Sequence, residues 1–222
     1  MDFIFMLTHN DRTVDDAIEV LEATEPTGLT HIGFKDVGAT PEQQRALTDA
    51  AHAAGMTVYL EVVSTSVASE LESVTAGRAA GVDWILGGTN PEQALPILAG
   101  SGVKYAPFPG RIEGHPSSLN GTVAEIAADA ARLTAMDGVD GVDLLAYRHT
   151  SEDPIEVTKA VVQASSGPVI AAGSVVTADQ VTALAAAGAI AFTIGGAIFD
   201  GQVPGDDIAA RVATALDWAQ RA

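Results

Sequence analysis

Two charged residues close short apolar runs, where a folded chain must either bury them or aim them at a ligand. Lys35 ends His31-Ile32-Gly33-Phe34-Lys35, and Glu61 ends Thr57-Val58-Tyr59-Leu60-Glu61. Strand alternation puts Lys35 on the face of Gly33 and Glu61 on the face of Tyr59. A desolvated lysine can form a Schiff base, and as a cation it can stabilise an enediolate. It could equally be a solvated loop lysine paired with Asp36. A carboxylate in apolar surroundings is costly unless it is paired or used, and Lys35 on the neighbouring strand is the expected partner of Glu61. Together they could move a proton at a carbon beside a carbonyl, with Glu61 as acid/base and Lys35 on the oxyanion. A purely structural salt bridge is the competing reading.

Other candidates follow the same logic. Arg148, after Asp143-Leu144-Leu145-Ala146-Tyr147, could grip a carboxylate or phosphate through two N–H groups, or simply pair with Glu152 or Asp153. His9 stands with Asn10 and Asp11 after the first apolar run, as a catalytic candidate or a hydrogen-bonded loop residue; Asp11 could also cap a helix. Pro107-Phe108-Pro109-Gly110-Arg111-Ile112-Glu113-Gly114-His115-Pro116 reads as a lid hinged at Gly110 and Gly114 that swings Arg111 and His115 over a ligand, or as a rigid proline turn. The histidines lack metal-ligand spacing, so no metal and no cofactor is expected, with Mg²⁺ held by carboxylates and phosphate left open.

The last third of the chain holds the most specific signal. Val169-Ile170-Ala171-Ala172-Gly173-Ser174 and Phe192-Thr193-Ile194-Gly195-Gly196-Ala197-Ile198-Phe199 each end an apolar run in small residues that let backbone N–H groups approach a ligand. The second leads into a short helical turn whose positive end can face an anion. One amphipathic helix between them would set the two turns side by side. The pattern reads as a phosphate cradle; the plainer reading is a pair of tight turns.

The elements that must position these residues recur. Eight apolar runs, 3–7, 31–34, 57–62, 83–86, 103–107, 141–146, 168–172 and 190–194, alternate with helical patterns such as 14–23, 42–53, 67–80, 122–135, 155–164 and 178–186, at a period of about 28 residues. Helix starts are marked by Thr40-Pro41-Glu42, Asn90-Pro91-Glu92, Asp153-Pro154 and Thr177, and helix ends by Gly55, Gly81 and Gly188. Nearly continuous apolar strands belong to a parallel sheet covered by helices. The expectation is an α/β fold, one (β/α)8 TIM barrel over residues 1–222, with chemistry at the C-terminal ends of the strands. An open doubly wound sheet would want a glycine fingerprint after its first strand, and Thr8-His9-Asn10-Asp11 has none.

On residues 168–199 the chain resembles the ribulose-phosphate-binding barrel superfamily, which includes phosphosugar epimerases, the histidine and tryptophan pathway isomerases and hexulose-phosphate synthases. The resemblance implies that Gly173, Ser174, Gly195 and Gly196 bind a substrate phosphate. Two departures leave the reaction open: Ala172 stands where acylamino-sugar epimerases carry a glutamate, and Gly33-Phe34-Lys35-Asp36 keeps only a Lys-Asp fragment of the decarboxylase and synthase signature.

Composition limits the partners. The 222 residues carry 11 bases and 29 acids, a net charge of −18, which disfavours nucleic acid and anionic membranes. No apolar run reaches the ~18 residues of a membrane span. With no cysteine there is no disulfide framework. The start, Met1 to Asp11, lacks a basic segment and a long apolar core, so a cytoplasmic protein is expected. The partner expected is a small phosphorylated or anionic metabolite, with a homo-oligomer through residues such as Trp84 and Phe199 left open. The function expected is a phosphosugar isomerase or epimerase; the alternatives are an aldolase-type lyase with a Schiff base on Lys35 and a non-catalytic phosphometabolite-binding barrel.

Overall fold

Isoleucine, valine, leucine and phenylalanine crowd the apolar runs, and each run forms a strand buried on both faces. The computed structural model describes residues 1–64 and 66–222. Its barrel strands are β1 (Asp2–Met6), β2 (His31–Lys35), β3 (Thr57–Val62), β4 (Trp84–Gly87), β5 (Lys104–Ala106), β6 (Val142–Leu144), β7 (Val169–Ala171) and β8 (Ala191–Ile194). All pair in parallel in the order β6-β7-β8-β1-β2-β3-β4-β5. The expected TIM barrel is therefore present. Its ladder stops at one seam, between β5 and β6, which main-chain bonds bridge from Asp140 N to Tyr105 O (2.8 Å) and from Asp143 N to Pro107 O (3.1 Å). The Asp140 carboxylate completes the join by accepting from Tyr105 N at 2.9 Å.

Alternation divides the core in two. Inward-facing Ile4, Met6, Tyr59, Leu86, Ala106, Ile170 and Ala191 fill the lumen as one cluster. Outward-facing Phe3, Phe5, Phe34, Leu60 and Phe192 pack under the helices against Val20, Leu47, Val74, Leu184 and Val212. The helices are α1 (Ala17–Thr24), α2 (Pro41–Ala53), α3 (Val67–Ala80), α4 (Pro91–Leu98), α5 (Val123–Thr134), α6 (Pro154–Ala164), α7 (Ala178–Ala186), α8 (Gly196–Phe199) and α9 (Ile208–Arg221). Thr40, Ser66, Thr122 and Thr177 each form a reciprocal capping box. Asn90 does not cap; its side-chain amide donates instead to buried Glu70 at 2.7 Å. Among the described residues, no helix is long and apolar enough to cross a membrane.

Two local differences from the sequence expectation bear on the site. Helix α1 starts at Ala17 rather than Val14, because Arg12–Thr13 pairs with Thr8–His9 in an antiparallel hairpin and Val14 N bonds to Leu7 O at 3.0 Å. The segment after β5, read from the sequence as a lid or a proline turn, holds a second hairpin in which Arg111–Glu113 pairs with Ser118–Asn120.

The seam can be tested. Asp140→Ala leaves the buried Tyr105 N–H without its acceptor, and should cost about 1–3 kcal/mol. The expected readout is a lower urea midpoint with an unchanged denaturant slope.

Candidate active site

The register of β2 and β3 sets Lys35 directly beside Glu61, with Lys35 Nζ 3.4 Å from Glu61 Oε2. Both side chains are almost wholly buried, at 4% and 5% exposure. The loop after β1 supplies a second carboxylate. Asn10 and Asp11 form the two-residue turn of the Thr8–Thr13 hairpin, at φ 50° and 61°. Such turns need positive φ at both central positions, which Asn and Asp tolerate better than most residues. The turn is tied to β2 through Thr13, whose hydroxyl donates to Lys35 O at 2.8 Å and accepts from Lys35 N at 2.9 Å. Asp11 Oδ1 thereby meets the Lys35 ammonium directly, and Arg148 Nη2 at 3.2 Å.

Arg148 comes from a single 3-10 turn, Ala146–Arg148, after β6. Its Nη1 also donates to Ser117 O at 3.3 Å, and neither Glu152 nor Asp153 pairs with it. Its shaft lies against Gly173, where an added Cβ would stand 2.5 Å from Arg148 Nε. Gly173 and Ser174 both adopt positive φ, 75° and 58°, so the main chain turns sharply after β7. Gly195 is as tightly placed: a Cβ there would lie 2.4 Å from Thr8 Oγ1. Gly196 is open, with only Asp200 Oδ2 near, at 3.9 Å from the Cβ position.

These residues share one cavity of about 750 Å³ at the C-terminal end of the barrel, lined by Asp11, Lys35, Glu61, Arg148 and the turns Gly173-Ser174 and Gly195-Gly196. Among the described residues, no protein acceptor takes the backbone N–H groups of Gly173, Ser174 and Val175, nor those of Gly196 and Ala197. Phe199 stays out of the turns, its ring stacked on Phe5 at 5.9 Å.

The remaining candidates sit at the rim. His9 points away from the Lys35 cluster: its Nε2 meets Asp200 Oδ1 at 2.8 Å and its ring lies 5.9 Å from Phe199. Asp200 itself lines the cavity. Arg111 is on the outer hairpin, exposed and paired with Glu113 at 3.1 Å. His115 reaches inward from the same loop, its Nδ1 3.7 Å from Asp11 Oδ2. Among the described residues, no group of three or more His, Asp or Glu side chains is arranged to hold a metal ion.

The sequence reading had Asp11 only as a strand-end residue or cap, and passed over Asp143. Asp143 is fully buried on the inner face of β6, and neither carboxyl oxygen has a hydrogen-bond partner among the described residues. A lone acid alternating within Val142-Asp143-Leu144 was the available signal. Burial, reinforced by the charge of Glu61, pushes the Asp143 carboxyl well above the usual range, against the opposing pull of Lys35 and Arg148. Asp11 moves the other way. Burial alone would raise it, but the Lys35 ammonium and the Arg148 guanidinium together outweigh burial and hold its carboxyl below the ordinary value. The two carboxyls are thus pushed in opposite directions, a separation typical of acid/base sites.

Known proteins place the fold and no more. No family model matches the chain, and no curated protein matches it in sequence. Among solved structures it is similar to orotidine 5'-phosphate decarboxylase from Pyrococcus horikoshii, at 13% identity and a TM-score of 0.68 over 98% of this chain and 99% of that one. It is similar to thiamine phosphate pyrophosphorylase from Pyrococcus furiosus, at 14% identity and a TM-score of 0.65 over 99% and 96%. It is also similar to the YdjI aldolase from Escherichia coli K12, at 14% identity and a TM-score of 0.61 over 99% and 89%. At these identities the likeness shows the TIM-barrel architecture.

The state of Asp143 has a measurable consequence. Its native carboxyl holds a proton more tightly than the unfolded chain does, so its contribution favours the fold below the unfolded value near 3.9 and is lost as pH rises toward the native one. Asp143→Asn keeps the shape and removes the ionisation. It should match the parent near pH 3.5 and become progressively more stable than the parent as pH rises from about 4, read by urea unfolding at a series of pH values.

Proposed function

We propose that this chain is an enzyme that binds a small phosphorylated sugar or sugar acid and moves a proton at the carbon beside its carbonyl, as an isomerase or epimerase. The observation that carries the reading is the shared cavity: free main-chain N–H groups from two turns stand on the same wall system as the Lys35–Glu61 pair. Backbone amides of Gly173, Ser174 and Gly196 would donate to the phosphate oxygens, an anion site that needs no side-chain cation. With the phosphate anchored, Glu61 takes the proton from carbon and returns it, and Lys35 stabilises the negative charge that develops on the carbonyl oxygen. Burial and the charge of Glu61 both oppose ionisation of Asp143 below them. Arg148 orients the substrate from the Gly173 side.

An aldolase-type lyase is the second reading, favoured by the burial of Lys35 in the cavity wall. Carbon–carbon cleavage beside a carbonyl passes through the same kind of enolate. A Schiff base, however, needs a free amine, and Lys35 is paired with both Asp11 and Glu61 as a cation. That pairing favours the electrostatic role.

Two measurements test the proposal. Phosphorylated C3 to C6 sugars should stabilise the protein against heat where their unphosphorylated counterparts do not, by about 2.7 kcal/mol at a hundred times the dissociation constant. Gly196→Asp, which meets open space, should abolish that stabilisation while leaving the unliganded melting temperature nearly unchanged. In heavy water a turned-over sugar phosphate should gain deuterium beside its carbonyl without fragmenting; a borohydride-trapped adduct on Lys35 would overturn this in favour of the lyase.

A further inference from the structure

Asp11 has an oxygen to spare. Its side chain is 3% exposed, Oδ1 carries both Lys35 and Arg148, and Oδ2 has no hydrogen-bond partner among the described residues. His115 Nδ1 stands 3.7 Å from Oδ2, beyond hydrogen-bond range. The two cations on Oδ1 keep the group ionised, and a carboxylate only accepts. A buried acceptor in a cavity wall is costly unpaired, so whatever fills the cavity must bring a donor. A cationic donor would meet Lys35 and Arg148 beside the same oxygen. An anionic group at this oxygen would meet Asp11 and Glu61 themselves, while Lys35 and Arg148 already lie against Asp11. A neutral hydroxyl satisfies the oxygen and meets neither repulsion.

We propose that Asp11 is a specificity-determining residue, its free oxygen accepting a hydrogen bond from an uncharged hydroxyl of the ligand, so that the cavity takes hydroxylated sugar phosphates and refuses phosphorylated sugar acids. The proposal narrows the substrate class of the reading above and rests on it for the phosphate anchor, but not for the acceptor.

Calorimetric titration of the full chain at pH 7.5 uses three probes: inorganic phosphate, ribulose 5-phosphate and 6-phosphogluconate. Ribulose 5-phosphate should bind about tenfold or more tighter than inorganic phosphate, the scale of one hydrogen bond to a charged group. The acid 6-phosphogluconate should bind no tighter than inorganic phosphate. In Asp11→Asn the advantage of ribulose 5-phosphate should vanish. A 6-phosphogluconate affinity equal to or above that of ribulose 5-phosphate overturns the proposal, as does an Asp11→Asn protein that keeps the preference. Should that variant fail to fold, the order of the three probes on the unaltered chain still decides. Unphosphorylated ribulose separates the two ideas: if it raises the melting temperature while inorganic phosphate does not bind, the cradle falls and the Asp11 acceptor stands. If no probe binds, both fall.

Discussion

A buried ammonium between two carboxylates is the constraint around which the open end of this barrel is arranged. Lys35 touches Asp11 and lies 3.4 Å from Glu61, and Arg148 reaches Asp11 from the far side of the chain. Removing any one partner would strand a charge in a place with little water, a loss of several kcal/mol, so the members hold one another in place. The group also explains the strain beside it. Asn10 and Asp11 sit at positive φ in the turn that brings Asp11 back over the end of β2, and Thr13 secures that turn by exchanging two hydrogen bonds with Lys35.

The glycine turns answer to the same arrangement. Gly173 has no room for a side chain because Arg148 occupies that space, and Gly195 has none because Thr8 does. Each turn is thus shaped by a neighbour from another strand-helix unit. The unpartnered amides are the outcome of that packing, held in position before any ligand arrives, and preorganisation of this kind is what makes backbone donors effective toward an anion.

Much of this was legible in the sequence, and the limits are physical. The strands and most helices follow from local period and capping, as the exact agreement at Val67–Ala80 and Ala178–Ala186 illustrates. The Lys35–Glu61 pair was readable because alternation and strand adjacency are short-range rules. Asp11 was not, since its role depends on a turn geometry and on Arg148, 137 residues away in the chain. His9 was drawn toward the chemistry by its place after β1, yet a tight hairpin turns its ring outward to Asp200. The hairpin Arg111–Asn120 was hidden because each of its strands carries a single apolar residue, Ile112 or Leu119, too few to establish a period. Asp143 was obscured by its apolar neighbours, which identify a strand but say nothing of what one inward acid does.

The seam between β5 and β6 gives Asp143 a further property. Its amide makes one of the main-chain bonds that bridge the join, while its carboxyl lies sealed on the inner side. Elsewhere the described strands form a continuous ladder, so this carboxyl sits beside the interruption in strand pairing. Opening of the seam would break the Asp143 amide bond and wet its carboxyl in one event, which links the ionisation of that group to the breathing of the barrel wall.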